Sequence, residues 1–482
     1  MNTSCSEEDV LEVNPTKKID ASSVFSSVEA VNAFRIGMYG NIAYGDAKLY
    51  TTQLPLLYDI MGNDMVYGYT WYGSWNNAFN YKVGKTSSET STVWSQCYYF
   101  QEIANTMLTK KFVGIDENVE KQYKAEARAL RGMVHVDVAR FYGKAYHLDK
   151  GASLAIPYVD YVDYDALPAR DNMKTIYEKA IKDLTDAIPD LPEAKGSAVN
   201  YMNKNAAYVA LARIYADMHE FGKARDYARL AIGDKSLLST EEYKLGLSTD
   251  NDESILCFYT DKDKYYKYRV FTSFHDSYDG MGDDFLANSS LTELFADNDV
   301  RKAFFIYEPY YYKYYDGNVY NGKTYSVSTL LGAAEASNGR GYYTSGKFPR
   351  KDVVMGSSRG STGLGDYNAM RTSEMVLLIA ECDAILGDNN TEAQDLLFDI
   401  ESRSLPTAVK STAVGSALVD LIRLETRKEM WGEGHALRYI KRWGIDLVRD
   451  GSQPEHNTIP AGDARYQWPV PERELNANPN LK

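Results

Sequence analysis

The chain has 482 residues, 44% hydrophobic and 25% charged, an ordinary composition for a globular protein with a substantial core. Its 67 acidic against 53 basic side chains leave a net charge of -14, which argues against nucleic acid or an anionic membrane surface as the principal partner. No stretch of ~18 apolar residues occurs, and the four cysteines (Cys5, Cys97, Cys257, Cys382) show neither a CxxC motif nor metal-ligand spacing.

Residues 1–20 read as a tether, with Cys5 followed by the acidic, polar run SEEDVLEVNPTKKID. A bacterial lipoprotein begins this way once its signal peptide is gone, so Cys5 is the expected lipidation site. Val31, Phe34 and Met38 predict a first helix over 25–44. From 46 to 91 the period breaks. MVYGYTWYGSWNNAFNY interleaves rings with glycine and asparagine, and no single period places the rings on one face, so a loop platform is expected.

Helical spacing returns over 93–112, 117–142 and 173–188, the last stopping before Pro189 and Pro192. The stretch 203–234 splits into two amphipathic runs around 219–222. Its Ala212, Tyr215, Ala224 and Ala231 have the spacing of small and aromatic positions in a tetratricopeptide hairpin. Alanine lets two helix backbones approach, and such a hairpin needs further helix pairs to bury its apolar face.

From about 236 to 366 helix signals are sparse, apart from a possible strand at 254–259 and a short helix at 289–298. So long a loop-rich insertion is expected to be functional. Helices resume at 370–386, 391–402, 416–431 and 435–449, and the proline- and asparagine-rich tail 451–482 should wrap the surface without forming an element.

Forty tyrosines and six tryptophans exceed what a helical core needs. These rings bury a flat face while keeping a polar edge wet, which suits surfaces that bind polar ligands.

Read in this order, the features resemble the SusD/RagB family of bacterial outer-membrane nutrient-binding lipoproteins. The resemblance runs nearly end to end: Cys5 with its tether; Ala125, Glu126, Arg128, Leu130, Arg131 and Gly143; Arg170, Tyr177, Asp183 and Leu191-Pro192; Asp299 and Arg301. It continues through Arg371, Glu374 and Glu381, then Glu425, Arg427, Glu429, Glu433, Gly434, Arg442, Trp443 and Gly444, and ends on Pro471, Glu474, Asn478, Pro479 and Leu481. One departure stands out. Ala436, Leu437 and Tyr439 occupy positions where the family usually has arginine, an aromatic residue and aspartate, which puts a buried Arg–Asp contact there in doubt.

The resemblance implies a mainly α fold, with tetratricopeptide-like helix pairs forming a right-handed superhelical scaffold over 21–235 and 367–450 of a single domain. It also implies a surface role, outer-membrane lipid anchoring, and capture of oligosaccharides for a TonB-dependent SusC-like transporter. Peptide capture by the same fold, or a cytoplasmic tetratricopeptide adaptor, are the competing readings.

Sugar capture calls for flat rings to stack on the C–H face of a pyranose and polar groups to satisfy its hydroxyls; it calls for no catalyst and no cofactor. The candidate ligand residues are Asp64, Trp71, Tyr72, Trp75, Asn76 and Asn77, with a second cluster at Tyr310, Tyr311, Tyr312 and Tyr314. Glu425, Glu429 and Glu433 share a helix face that could pass for a glycosidase carboxylate set, but interleaved Arg423, Arg427 and Lys428 point to ion pairing along the helix. The GxSxG string at 356–360 lacks the strand–turn–helix context of a nucleophile elbow. The six histidines form no local metal motif, and Asp276, Asp279, Asp283 and Asp284 read as a solvated acidic turn.

Overall fold

The computed structural model describes residues 24–43, 48–67, 75–247, 250–259, 285–305, 365–449 and 458–482, together with 341, 342, 344 and 346–348. Cys5, the GxSxG string and the 276–284 aspartates lie outside these residues.

The frame is helical. It comprises α1 (Val28–Ala43), α2 (Leu54–Ile60), α3 (Ser88–Thr109), α4 (Glu117–Tyr142), α5 (Met173–Ala187), α6 (Lys204–Asp217), α7 (Phe221–Ile232), α8 (Thr372–Leu386), α9 (Asn390–Ser404), α10 (Gly415–Met430) and α11 (Ala436–Trp443). Each packs on its successor from α3 through α9, and α10 closes on both α8 and α9. That is the stacking of helix pairs expected from tetratricopeptide-like spacing.

Helix α4 shows why the signals are legible. Asp116 caps it by accepting from the Asn118 backbone N–H at 2.8 Å, Glu117 and Glu120 favour the positive helix start, and Arg140 occupies the last turn. In the α6–α7 hairpin, Asn203 is the cap, and the buried face of α7 is Ala224, Ala228 and Ala231. Tyr215 stacks on Tyr227 with ring centroids 5.4 Å apart. The turn is made not at Gly222 but at His219, whose φ of 61° reverses the chain while its ring bonds the Arg442 carbonyl.

Buried arginine–carboxylate pairs tie the helices together: Arg35–Glu126 joins α1 to α4, Arg131–Asp183 joins α4 to α5, and Arg140–Asp217 joins α4 to α6. Arg213–Glu374 and Arg225–Asp383 tie the α6–α7 hairpin to α8. At the departure, 436–439, Arg438 meets Glu374 at 2.8 Å, and beyond it Arg442 meets Glu381 at 2.5 Å. Such pairs fix which helix meets which more than they add net stability, since burying both charges offsets their attraction.

Four expectations are corrected. Residues Leu49–Ile60, placed in the loop platform, form a π-helical turn running into α2, and every side chain is buried. With no exposed face the segment carries no amphipathic period. The predicted helix over 289–298 is one turn, Ser289–Thr292. The helix over 435–449 ends at Gly444, whose φ of 63° caps it. The tail does wrap, through Trp468 N–H to the Phe141 carbonyl at 2.7 Å, but it also forms a short helix, α12 (Glu472–Ala477).

Three two-stranded ladders complete the described fold: β1 (Met65–Tyr67) with β3 (Phe285–Ala287), β2 (Ser254–Phe258) with β4 (Tyr367–Arg371), and β5 (Leu447–Val448) with β6 (Thr458–Ile459). The β2–β4 pair closes the neck of the insertion, since one strand lies near each of its ends. No helix among the described residues is long and apolar enough to cross a membrane.

Candidate functional site

Strand β1 pairs antiparallel with β3, Met65 opposite Ala287 and Tyr67 opposite Phe285. Ala287 then exchanges both backbone hydrogen bonds with Tyr342, at 2.8 and 2.9 Å. Gly341 makes this third strand fit, because a Cβ there would lie 2.6 Å from the Ala287 carbonyl oxygen and 2.8 Å from Val66 Cγ2. Three chain segments that are distant in sequence therefore meet on one small ladder. The stretch 68–74 leaves it after Tyr67, 260–284 enters it before Phe285, and 306–340 enters it before Gly341.

The turn before β1 is fastened to the same place. The Asn288 N–H donates to the Asp64 carbonyl at 2.8 Å, and the Asp64 carboxylate accepts from Arg427 Nε at 2.5 Å. Arg427 also reaches Ser290 Oγ at 3.4 Å. Burial pushes the Asp64 carboxyl up from the usual carboxylate range, and the Arg427 guanidinium opposes that shift. Asp64, expected to accept ligand hydroxyls, is thus a buried partner of α10.

Trp75, expected to stack on ligand, is also corrected. It is 5% exposed and donates its indole N–H to Gln53 Oε1 at 3.2 Å. Its left-handed φ of 62° places it at the start of the one-turn helix Asn76–Phe79. One left-handed residue turns the ring inward, which no periodicity in the sequence reveals. Asn76 is exposed, whereas Asn77 uses its backbone N–H and side-chain amide to bond the Glu89 carboxylate at 3.2 and 3.4 Å. Trp71, Tyr72, Tyr310, Tyr311, Tyr312 and Tyr314 lie outside the described residues.

A buried charge cluster joins β4 to α10. Arg371 of β4 contacts Glu253, Glu429 and Glu433 at 3.0, 2.8 and 2.7 Å. Arg301 contacts Asp299 at 2.9 Å and Glu425 at 2.5 Å, and Arg403 contacts Glu253 at 2.8 Å and Glu429 at 2.6 Å. Lys347 reaches Glu433 at 2.8 Å. Burial alone would raise the Glu429 carboxyl, but the Arg403 and Arg371 guanidiniums hold it well below the usual range. Burial brings the Lys347 ammonium down to about 8.

Glu425 and Glu429 lie on α10 and Glu433 in the turn that follows it, and the three pair with cations as expected in kind but not in partners. Only Lys428 among the interleaved cations meets them, at Glu425; Arg423 pairs with Glu381 and Arg427 with Asp64. Their main partners are Arg301 and Lys347 of the insertion, Arg371 of β4 and Arg403 of α9. The cluster thus holds the insertion at Glu253, Arg301 and Lys347, and each of its carboxylates is paired with a cation. Among the described residues no group of three or more His, Cys, Asp or Glu side chains could hold a metal ion.

Sequence reasoning missed Arg427, Asn288 and Gly341 as the residues that assemble the ladder.

Two family models account for most of the chain. One, described as the SusD family, matches residues 239–482, and the other, described as starch-binding associating with outer membrane, matches residues 9–216. No curated protein matches the sequence. Among solved structures, a SusD superfamily protein from Bacteroides thetaiotaomicron superposes with a TM-score of 0.78 at 23% identity, covering 94% of this chain and 98% of that one. A SusD-like carbohydrate binding protein from Bacteroides vulgatus gives a TM-score of 0.76 at 21% identity, covering 95% and 98%. Surface glycan-binding protein A from Bacteroides uniformis gives 0.71 at 18% identity, covering 95% and 99%. With the helical frame in place and a SusD family model spanning just over half its length, this chain belongs to the SusD family, whose members associate with the outer membrane.

Proposed function

We propose that the protein is a cell-surface glycan-binding lipoprotein, anchored in the outer membrane through Cys5, that captures oligosaccharides and passes them to a TonB-dependent transporter. The observation that supports this reading best is the β1–β3 ladder with its third strand at 341–342. Its three connected stretches, 68–74, 260–284 and 306–340, carry much of the chain's surplus of tyrosine and tryptophan. A sugar-capturing surface needs several aromatic loops held close together on a rigid base, and the paired strands would supply such a base. Trp71 and Tyr72 are the proposed stacking residues, with Tyr310, Tyr311, Tyr312 and Tyr314 as further ring donors and Asn76 as a hydroxyl partner. Trp75, Asn77 and Asp64 hold the platform in place.

A glycan array followed by affinity-gel electrophoresis tests the reading. At least one oligosaccharide should bind, and Trp71→Ala combined with Tyr72→Ala should abolish that binding without lowering the melting temperature. Retained binding in the double variant, or no binding to any glycan, would overturn it.

A further inference from the structure

Tyr99 of α3 is 56% exposed, and Tyr164, in the stretch 159–168 that crosses the same helix, is 80% exposed. A single exposed ring needs no explanation, but these two are brought together. Tyr164 donates its hydroxyl to Glu102 Oε1 at 3.0 Å, and Tyr99 precedes Glu102 by three positions of α3, so both rings border one carboxylate.

The crossing stretch is fastened along its length. Asn105 Nδ2 donates to the Val159 and Tyr161 carbonyls at 3.1 and 3.0 Å, and Arg131 holds Asn105 Oδ1 at 2.8 Å. At the far end, Asn480 and Asn478 of the tail donate to the Leu167 and Pro168 carbonyls at 2.7 and 2.8 Å. The Tyr164 ring is therefore held in place with its faces open, and little side-chain freedom remains to be lost when something stacks on it.

The polar groups between the rings select the ligand. Glu102, Asp163 and Asp165 are exposed and meet no cation among the described residues. Glu102 keeps Oε2 as an acceptor, and Asp163 keeps Oδ2, because its Oδ1 accepts the Asp165 N–H at 3.0 Å. Rings alternating with unpaired carboxylates make a poor protein interface, since each carboxylate would be buried without a cation. They suit a neutral sugar, whose C–H face covers a ring and whose hydroxyls donate to the carboxylates. The same charges repel uronates and sulfated glycans. Rings this exposed cannot enclose a ligand, which favours a chain lying across them over a single sugar.

We propose that Tyr99 and Tyr164 form a second glycan-binding platform, for internal residues of a long neutral polysaccharide, with Glu102 and Asp163 accepting its hydroxyls. It stands about three turns (~15 Å) along α3 from Glu89, the residue that holds Asn77. The proposal does not depend on ligand capture by the loops at the β1–β3 ladder.

The test is affinity-gel electrophoresis of the full chain in amylopectin, galactomannan, arabinoxylan, mixed-linkage β-glucan and polygalacturonate, with poly-L-arginine binding measured alongside. The starting protein carries Trp71→Ala and Tyr72→Ala, which sets aside capture by the ladder loops. At least one neutral polysaccharide should still retard it. Adding Tyr99→Ala with Tyr164→Ala should weaken that binding about tenfold or more, as expected for loss of two stacking rings, and leave the melting temperature unchanged because both rings are exposed. Adding Tyr99→Phe instead, which keeps a ring, should leave the binding in place. The proposal is overturned if no neutral polysaccharide retards the starting protein, if retardation survives Tyr99→Ala with Tyr164→Ala, or if polygalacturonate alone is bound. Binding of poly-L-arginine alone, lost in Asp163→Asn, also overturns it and assigns the patch to a basic protein segment.

Discussion

Arg427 Nε lies 2.5 Å from Asp64 Oδ1, joining α10 to the turn that launches β1 across 363 positions of sequence. The Asp64 side chain is 5% exposed and the Arg427 side chain 23%. Removing the arginine strands a buried carboxylate, whereas Asp64→Asn leaves a neutral amide. Arg427→Ala should therefore cost about 3 kcal/mol in urea unfolding and Asp64→Asn clearly less, with the double variant less destabilised than the sum. Additive effects in that cycle would show that the two side chains are not coupled.

Gly341 admits no side chain, because its missing Cβ would meet a backbone carbonyl that cannot move aside. Gly341→Ala should cost on the order of 1–3 kcal/mol. Amide exchange should rise at Val66, Leu286 and Ala287 while α4 keeps its protection. Unchanged exchange at those three amides would contradict the close fit.

Arg371 holds three buried carboxylates and is itself buried. Arg371→Met should destabilise the chain by at least ~4 kcal/mol, enough to prevent recovery of folded protein at ordinary growth temperatures. Lys428→Met, near the edge of the same cluster, should cost about 1 kcal/mol. Similar denaturation midpoints for the two variants would refute this ranking.

Asp59 accepts backbone N–H groups from Gly434, His435 and Ala436 at 2.7, 3.1 and 3.3 Å, at the start of α11. Burial nevertheless raises its carboxyl to about 7, although those donors pull it down. Between about pH 4 and 7 the folded chain then holds a proton that the unfolded chain has released. This contribution to stability is complete below pH 4, falls as pH rises through 7, and is flat above. Urea midpoints measured from pH 4.5 to 8 should show a smaller decline in Asp59→Asn than in the parent. Parallel profiles would exclude Asp59 as the source.

Cys97, Cys257 and Cys382 are buried, and burial pushes the Cys97 thiol up to about 12. None of the three should react with iodoacetamide in the native protein. Mass spectrometry after native labelling should find the reagent on Cys5 alone, and protein extracted from outer membranes should carry lipid there and take up none.

Much of the frame was legible because amphipathic helices write their own period. The helix expected over 117–142 runs over Glu117–Tyr142, and the hairpin at 203–234 pairs through its alanines. Leu49–Ile60 was not legible, since a segment buried on all sides has no period to read. The inward turn of Trp75 depends on one backbone angle. Glu425, Glu429 and Glu433 were visible as a row, but their main partners Arg301, Lys347, Arg371 and Arg403 come from other elements, beyond any local pattern. Of the candidate ligand residues, Asp64 and Trp75 are buried and Asn77 bonds Glu89, contacts that no local pattern in the sequence reveals.

The ladder of 65–67, 285–287 and 341–342 also bears on how such a protein can diversify. The helical frame is cross-braced by buried ions and helix packing, so a change there is felt throughout it. The stretches it anchors begin and end at fixed points, and lengthening an anchored loop is inexpensive in chain entropy. The ladder therefore behaves as a grafting junction. Exchanging 68–74, 260–284 and 306–340 as a set, with the strand residues kept, offers a direct route to altered selectivity on an unaltered chassis.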